Sequence, residues 1–241
     1  GILPLQSMVT LKMYPEAVES LEKSLGLELT GDVGAFINNY HEKYYTLQCL
    51  AYMNPDHCLI GAVKSGNIEV VIKSIEKGAN SFKAAMIEAC INGDTEMVRL
   101  LLEYTPKELV KPVTESGLEK AALKGYKDIV EIMLLNGATN YNQGLIKASK
   151  GGHIDIINMM LDRKANAYNE ALIAAAAGGH VDVIKKMIYL GESRKITFDS
   201  ALIEAATHGH VDVFDMMLKL GADKYEKALM LASRYGQLDI I

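Results

Sequence analysis

Cysteine is scarce in this chain. Cys49, Cys58 and Cys90 are odd in number and lack any framework spacing, which excludes a disulfide scaffold. Reduced thiols fit an intracellular setting, cytoplasmic or nuclear. No apolar run reaches 18 residues before Gly or a charge interrupts it, so no membrane span is expected. Positive charge is not in surplus: the net charge of −5 gives no basic field for nucleic acid or an anionic membrane. No charged-then-apolar leader opens the chain, and its start at Gly1 without an initiator Met points to trimming. Phosphate loops are missing too, because Lys150-Gly151-Gly152 and Ala177-Gly178-Gly179 lack a Gly-Lys-Ser/Thr end. No Ser or Cys nucleophile has an arranged base that the sequence can place beside it. The chain therefore reads as a non-enzyme without cofactors.

What the chain does have is a period. Gly66, Gly93, Gly125, Gly152, Gly179, Gly209 and Gly236 are separated by 27, 32, 27, 27, 30 and 27 residues. Each stands in a similar stretch, with small residues before it and a polar residue, an acid and an aliphatic run after it. Such a period marks a solenoid of stacked supersecondary units. With 49% apolar residues, 241 residues suffice to bury a sizeable core along the stack.

Each unit reads as a helix pair. In Tyr168 through Gly179, Asn169 is the expected N-cap and the glycine closes the helix in the left-handed conformation. Asp56, Asn142 and Asp199 hold the same place as Asn169 in other units. The second helix follows at once, with an acid in its first turn: Glu69, Glu96, Asp128, Asp155, Asp182, Asp212 and Asp239. The helix dipole favours negative charge there by about 0.3–1 kcal/mol. A pair such as Gly78-Ala79, Gly137-Ala138 or Gly221-Ala222 then ends it. Cys90 occupies a slot that Ala122, Ala176 and Ala206 fill elsewhere, and reads as a small core residue. The methionines, Met133, Met160, Met187 and Met217 among them, fall at helix-core spacing. An aromatic row, Phe82, Tyr141, Tyr168, Phe198 and Tyr225, precedes the expected caps. It reads either as hydrophobic staples on the residue five places later or as a ladder of exposed rings for a partner.

The stretch from Ala206 to Ala222, Ala-x-x-Gly-His-x-Asp-Val-x-x-x-Met-Leu-x-x-Gly-Ala, resembles the second half of an ankyrin repeat. Gly-His recurs at Gly152-His153, Gly179-His180 and Gly209-His210, and the resemblance spans roughly residues 56–241. The family's usual unit is about 33 residues, with a Thr-Pro-Leu-His motif and a β-turn finger. Here that motif is missing and the unit is trimmed to 27 residues, so the finger is expected to be missing as well. The resemblance implies an all-α solenoid of stacked helix-turn-helix repeats that binds other proteins. About seven units are expected over 56–241, the last incomplete, capped by a helical region over 1–55 with helices at Pro15–Leu25 and Asp32–Tyr52. A separate docking domain is the alternative for 1–55. The final unit stops at Ile240-Ile241, so the chain is expected to continue or to be covered there. Two units are longer, by five residues around Thr105–Pro112 and by three around Glu192–Lys195. These insertions are expected as loops, either carrying individuality or neutral drift.

His153, His180 and His210 invite a metal reading. Stacked helices lie roughly 8–10 Å apart, whereas zinc holds nitrogen at about 2.0–2.1 Å, so one ion cannot bridge two rungs. A cap or turn role is expected instead, and no metal.

In an ankyrin-like stack the first helices line the concave face, which implies where a partner binds. Candidate contacts on that face are Glu88, Lys120, Lys124, Lys147, Lys150, Glu204, His208 and Tyr235. The four lysines stand on adjacent rungs and are expected to receive an acidic segment of a protein partner, with the Ala174/Ala177/Gly178 rung beside them leaving space. The bland alternative is a solvated helix face. The leading functional expectation is a non-enzymatic scaffold or adaptor, monomeric or part of a larger chain or complex. Trimmed arrays of this kind look like those of large DNA viruses and some intracellular bacteria, which implies a host-interaction factor. Alternatives are a targeting region of a longer protein with an effector or ligase-recruiting module, and a structural part of a large assembly.

Overall fold

Every glycine of the period ends a helix. In the computed structural model, which describes residues 54–191 and 196–241, the seven glycines have φ between 71° and 84°. Cβ sterics disfavour that region for other residues. The expected N-terminal cap up to residue 53, Cys49 with it, and the insertion at Glu192–Lys195 lie outside the described residues.

The described residues form successive helix pairs without strands. They are α1 (Pro55–Ser65) with α2 (Ile68–Glu76), and α3 (Phe82–Asn92) with α4 (Thr95–Tyr104). Next come α5 (Lys107–Lys124) with α6 (Lys127–Leu135), and α7 (Tyr141–Gly151) with α8 (Ile154–Asp162). Then follow α9 (Tyr168–Gly178) with α10 (Val181–Leu190), and α11 (Asp199–His208) with α12 (Val211–Lys219). Last is α13 (Tyr225–Tyr235), followed by a 3-10 turn at Leu238–Ile240. The pairs are joined by short segments such as 77–81, 136–140 and 163–167, too short for a finger.

Small residues decide how the pairs stack. Four places before each repeating glycine stands a buried alanine, from Ala62 and Ala89 through to Ala205 and Ala232. Such residues let first helices approach closely. Neighbouring first helices accordingly pack together along the whole array, while second helices of successive pairs touch sparsely. The first-helix side is thus the closely packed side of the stack, called the inner face below. Leu118, Leu145, Leu172 and Leu202, all fully buried, fill the space between layers with Met133, Met160 and Met187 from the second helices. Gly117 and Gly144 mark the tightest places, since a Cβ there would stand 2.6 and 2.5 Å from the sulfur of Met133 and Met160. Cys90 is wholly buried, and burial pushes its thiol up to about 12.

Three sequence expectations need correction. The longer second unit does not loop out. Its extra residues add length to α5, which runs 18 residues from the Pro106 N-cap. Glu108 favours the start, and Leu109 packs on the core. Pro112 sits inside this helix and forgoes one backbone bond without ending it.

The Asx residues Asp56, Asn142, Asn169 and Asp199 do not cap their own helices. Asp56, Asn142 and Asn169 stand at the second helical position and Asp199 at the first, each ten places before its glycine, and they reach across to the next unit. Asp56 Oδ1 accepts from the backbone N–H of Asn80 and Ser81 at 2.7 and 2.8 Å. Asn142 Oδ1 accepts from Asn166 and Ala167 at 2.7 and 3.3 Å. Asn169 and Asp199 accept from Thr197 and Asp223 at 3.2 and 2.9 Å. Each acceptor thus satisfies loop N–H groups that the following helix leaves without partners. The second unit has Lys83 at this place, and the residue it would serve is Pro112, which has no N–H to donate.

The third correction concerns one member of the rung expected to leave space. A Cβ on Gly178 would meet the Lys150 carbonyl oxygen at 2.2 Å and the His180 ring at 2.6 Å, so the volume beside that glycine is already filled, whereas Ala174 is half-buried.

The aromatic row lies mostly inward. Phe82 is buried, and Tyr141, Tyr168 and Phe198 pack against the core from the starts of their helices. Tyr225, on the last helix, is 51% exposed.

Candidate functional site

Two polar ladders hold the stack in register and so fix the inner face. The first is the Asx ladder. The second runs along the glycine turns and uses the histidines. His153 Nε2 donates to the Leu123 carbonyl at 3.1 Å, His180 Nε2 to Lys150 at 3.0 Å, and His210 Nε2 to Ala177 at 3.1 Å. Gln237 Nε2 does the same to Thr207 at 3.1 Å. Each acceptor is a last-turn carbonyl of the preceding first helix, a group with no partner inside its own helix.

The rings lie so close that the glycines have a second reason to be glycine. A Cβ on Gly125, Gly152 or Gly179 would stand 2.5, 2.6 or 2.7 Å from the next unit's imidazole. Gly66 has the same positive φ with nothing within 4 Å. Asn67 and Asp94 hold the histidine place in the first two units but cap their own second helices, accepting from Val70 and Met97 N–H at 3.1 and 2.9 Å. Tyr126 holds it in the third unit, its ring lying over Gly93. The histidines are thus committed to backbone carbonyls. Among the described residues no three His, Cys, Asp or Glu side chains gather as metal ligands.

On the inner face the candidate residues fall into four groups. Glu88 is met by Lys64 of the preceding first helix, Nζ–Oε1 3.7 Å. Glu204 lies 3.5 Å from His208 Nδ1 one turn on, and the His208 ring stacks beside His210 at 6.3 Å. Tyr235 is 57% exposed on α13.

The fourth group is the lysines. Lys120 and Lys124 stand one turn apart on α5, and Lys147 and Lys150 one turn apart on the adjacent α7. All four are half-buried or exposed, and among the described residues none makes an ion pair. The nearest acid in sequence, Glu119, is turned to Asn140, whose Nδ2 donates to its Oε1 at 3.1 Å. Adjacent lysines without acids repel each other, and an external anion relieves that repulsion.

Two open recesses of 330 and 290 Å³ lie between glycine turns. The first holds His153 and Asp155, the second Tyr126 and Asp128. Among the described residues no helix is long and apolar enough to cross a membrane.

A family model of ankyrin repeats, three copies, matches residues 59–144. Among solved structures the chain is similar to the human ASB11 ankyrin repeat domain. That likeness has 24% identity and a TM-score of 0.48, and covers 68% of this chain and 84% of that one. No curated protein matches.

Proposed function

We propose, from the premise that residues 59–144 of this chain are ankyrin repeats and that such repeats serve as protein-interaction modules, that the array is a non-enzymatic scaffold. Its inner face receives an acidic segment of a partner protein on Lys120, Lys124, Lys147 and Lys150. The observation that carries this reading is the contrast between Lys64, neutralised across the rung by Glu88, and four lysines on the next first helices that meet no carboxylate. A fixed scaffold presenting uncompensated charge steers and registers an oppositely charged partner at little reorganisation cost.

The test is charge reversal at all four lysines, read by titrating a fluorescent glutamate-rich peptide at low and high salt. Affinity is expected to fall by about tenfold or more at low salt, given about 0.2–1 kcal/mol per exposed pair, and its salt dependence to flatten. Unchanged strength and unchanged salt sensitivity refute the reading.

A further inference from the structure

The cross-rung pair Lys64–Glu88 sets a register for the inner face. Lys64 stands two places before its repeating glycine and Glu88 five places before the next one, and their charged groups lie 3.7 Å apart. At the following steps the same two places hold Ile91 with Lys120, Leu123 with Lys147, and Lys150 with Ala174. At each of these three steps a lysine therefore stands where the other half of an ion pair is replaced by an aliphatic side chain. Ile91, Leu123 and Ala174 are all half-buried, so part of each is open to a partner.

We infer that the partner segment is acidic and aliphatic in alternation, with carboxylates on Lys120, Lys147 and Lys150 and apolar side chains against Ile91 and Leu123. This rests on the reading of the inner face as the partner site and names the chemistry it accepts. Charge supplies attraction and register, which salt weakens. The aliphatic contacts supply burial that salt does not screen, worth about tenfold or more in affinity for a well-buried Leu. Acid alone would satisfy the lysines and leave Leu123 and Ile91 against water. An apolar segment would leave the lysines unpaired.

The register also supplies the test. Leu123→Glu and Ala174→Glu place carboxylates opposite Lys147 and Lys150 as Glu88 stands opposite Lys64, neutralising both lysines without removing either. The probes are two fluorescein-labelled peptides of equal charge and length, one alternating Glu and Leu, the other Glu and Ser, titrated against the whole chain with circular dichroism confirming the fold of each variant. The Glu/Leu peptide is expected to bind about tenfold more tightly than Glu/Ser. The double variant should weaken Glu/Ser by about tenfold and Glu/Leu by more, because it removes the Leu123 contact as well. Leu123→Ser should reduce the Glu/Leu advantage, and Ile91→Ser with Leu123→Ser should erase it, while the salt-sensitive binding of Glu/Ser persists in both. Equal affinity for the two peptides, both still lost on charge reversal of the lysines, overturns this inference while leaving the basic-face reading standing. Binding of either peptide that ignores the lysines overturns both.

Discussion

His180 is the place to test whether the turn ladder stabilises the stack. Its Nε2 donates to the Lys150 carbonyl at 3.0 Å, and its ring lies over Gly152 and Gly178. Replacing it with alanine removes one hydrogen bond between units, worth about 0.5–1.5 kcal/mol net. It also removes the ring's packing against two glycines, so the expected total is about 2 kcal/mol. His180→Gln is the control, because Gln237 makes the equivalent bond to Thr207 at 3.1 Å in the last unit. That variant should lose less than about 0.5 kcal/mol. Urea unfolding followed by circular dichroism gives the midpoint and slope, and a change in midpoint at constant slope reports stability. In a quasi-one-dimensional stack, a weaker central interface should lower the whole transition. If glutamine costs as much as alanine, or alanine costs nothing, the ladder is incidental to stability.

Three further outcomes follow from the same geometry. Gly152→Ala should destabilise more than Gly66→Ala in thermal unfolding. Both bear the cost of a positive φ, about 1–2 kcal/mol, but only Gly152 has the His180 ring 2.6 Å from the new Cβ. Lys164 has φ 68° at a place where sister units carry Gly78, Gly137 and Gly221. Lys164→Gly should therefore stabilise by about 0.5–1 kcal/mol, the relieved strain exceeding the added freedom of the unfolded chain. Asp56 is held below the ordinary aspartate value of 3.8, chiefly by the Asn80 N–H and also by that of Ser81. A lowered folded-state value gives stability that is full above pH 3.8 and fades as pH falls through the folded value. Asp56→Asn should keep both bonds, as Asn142 does, and remove that acid sensitivity from pH-dependent melting.

Much of the fold was legible because the features that set it are local. A glycine at φ near 75° and an acid in a first helical turn depend on near neighbours, so a single unit read correctly gives them all. What the sequence hid was contact between units. Asn142 reads as a cap within its own unit, yet its oxygen serves N–H groups 24 and 25 residues on. His153, His180 and His210 read as turn residues, yet each bonds 30 or 33 residues back. A signal was present in Gly151-Gly152-His153 and Gly178-Gly179-His180, where the extra glycine makes room for the ring. Thr105–Pro112 misled because residues added to a repeat were expected to loop out, whereas they lengthen α5, with Pro106 at the helix start and Pro112 losing a single bond. At the candidate site the lysines were plain in the sequence. Their lack of acidic neighbours was not, because it depends on the register that Lys64 and Glu88 display and on Glu119 turning to Asn140.

The central claim, that an acidic segment docks on the inner lysines, is tested most directly by zero-length carbodiimide crosslinking of a glutamate-rich peptide to the intact chain, mapped by mass spectrometry. The account predicts crosslinks concentrated at Lys120, Lys124, Lys147 and Lys150, with few at the exposed second-helix lysines Lys185 and Lys219. Crosslinks spread evenly over both sets, or favouring Lys185 and Lys219, would contradict it.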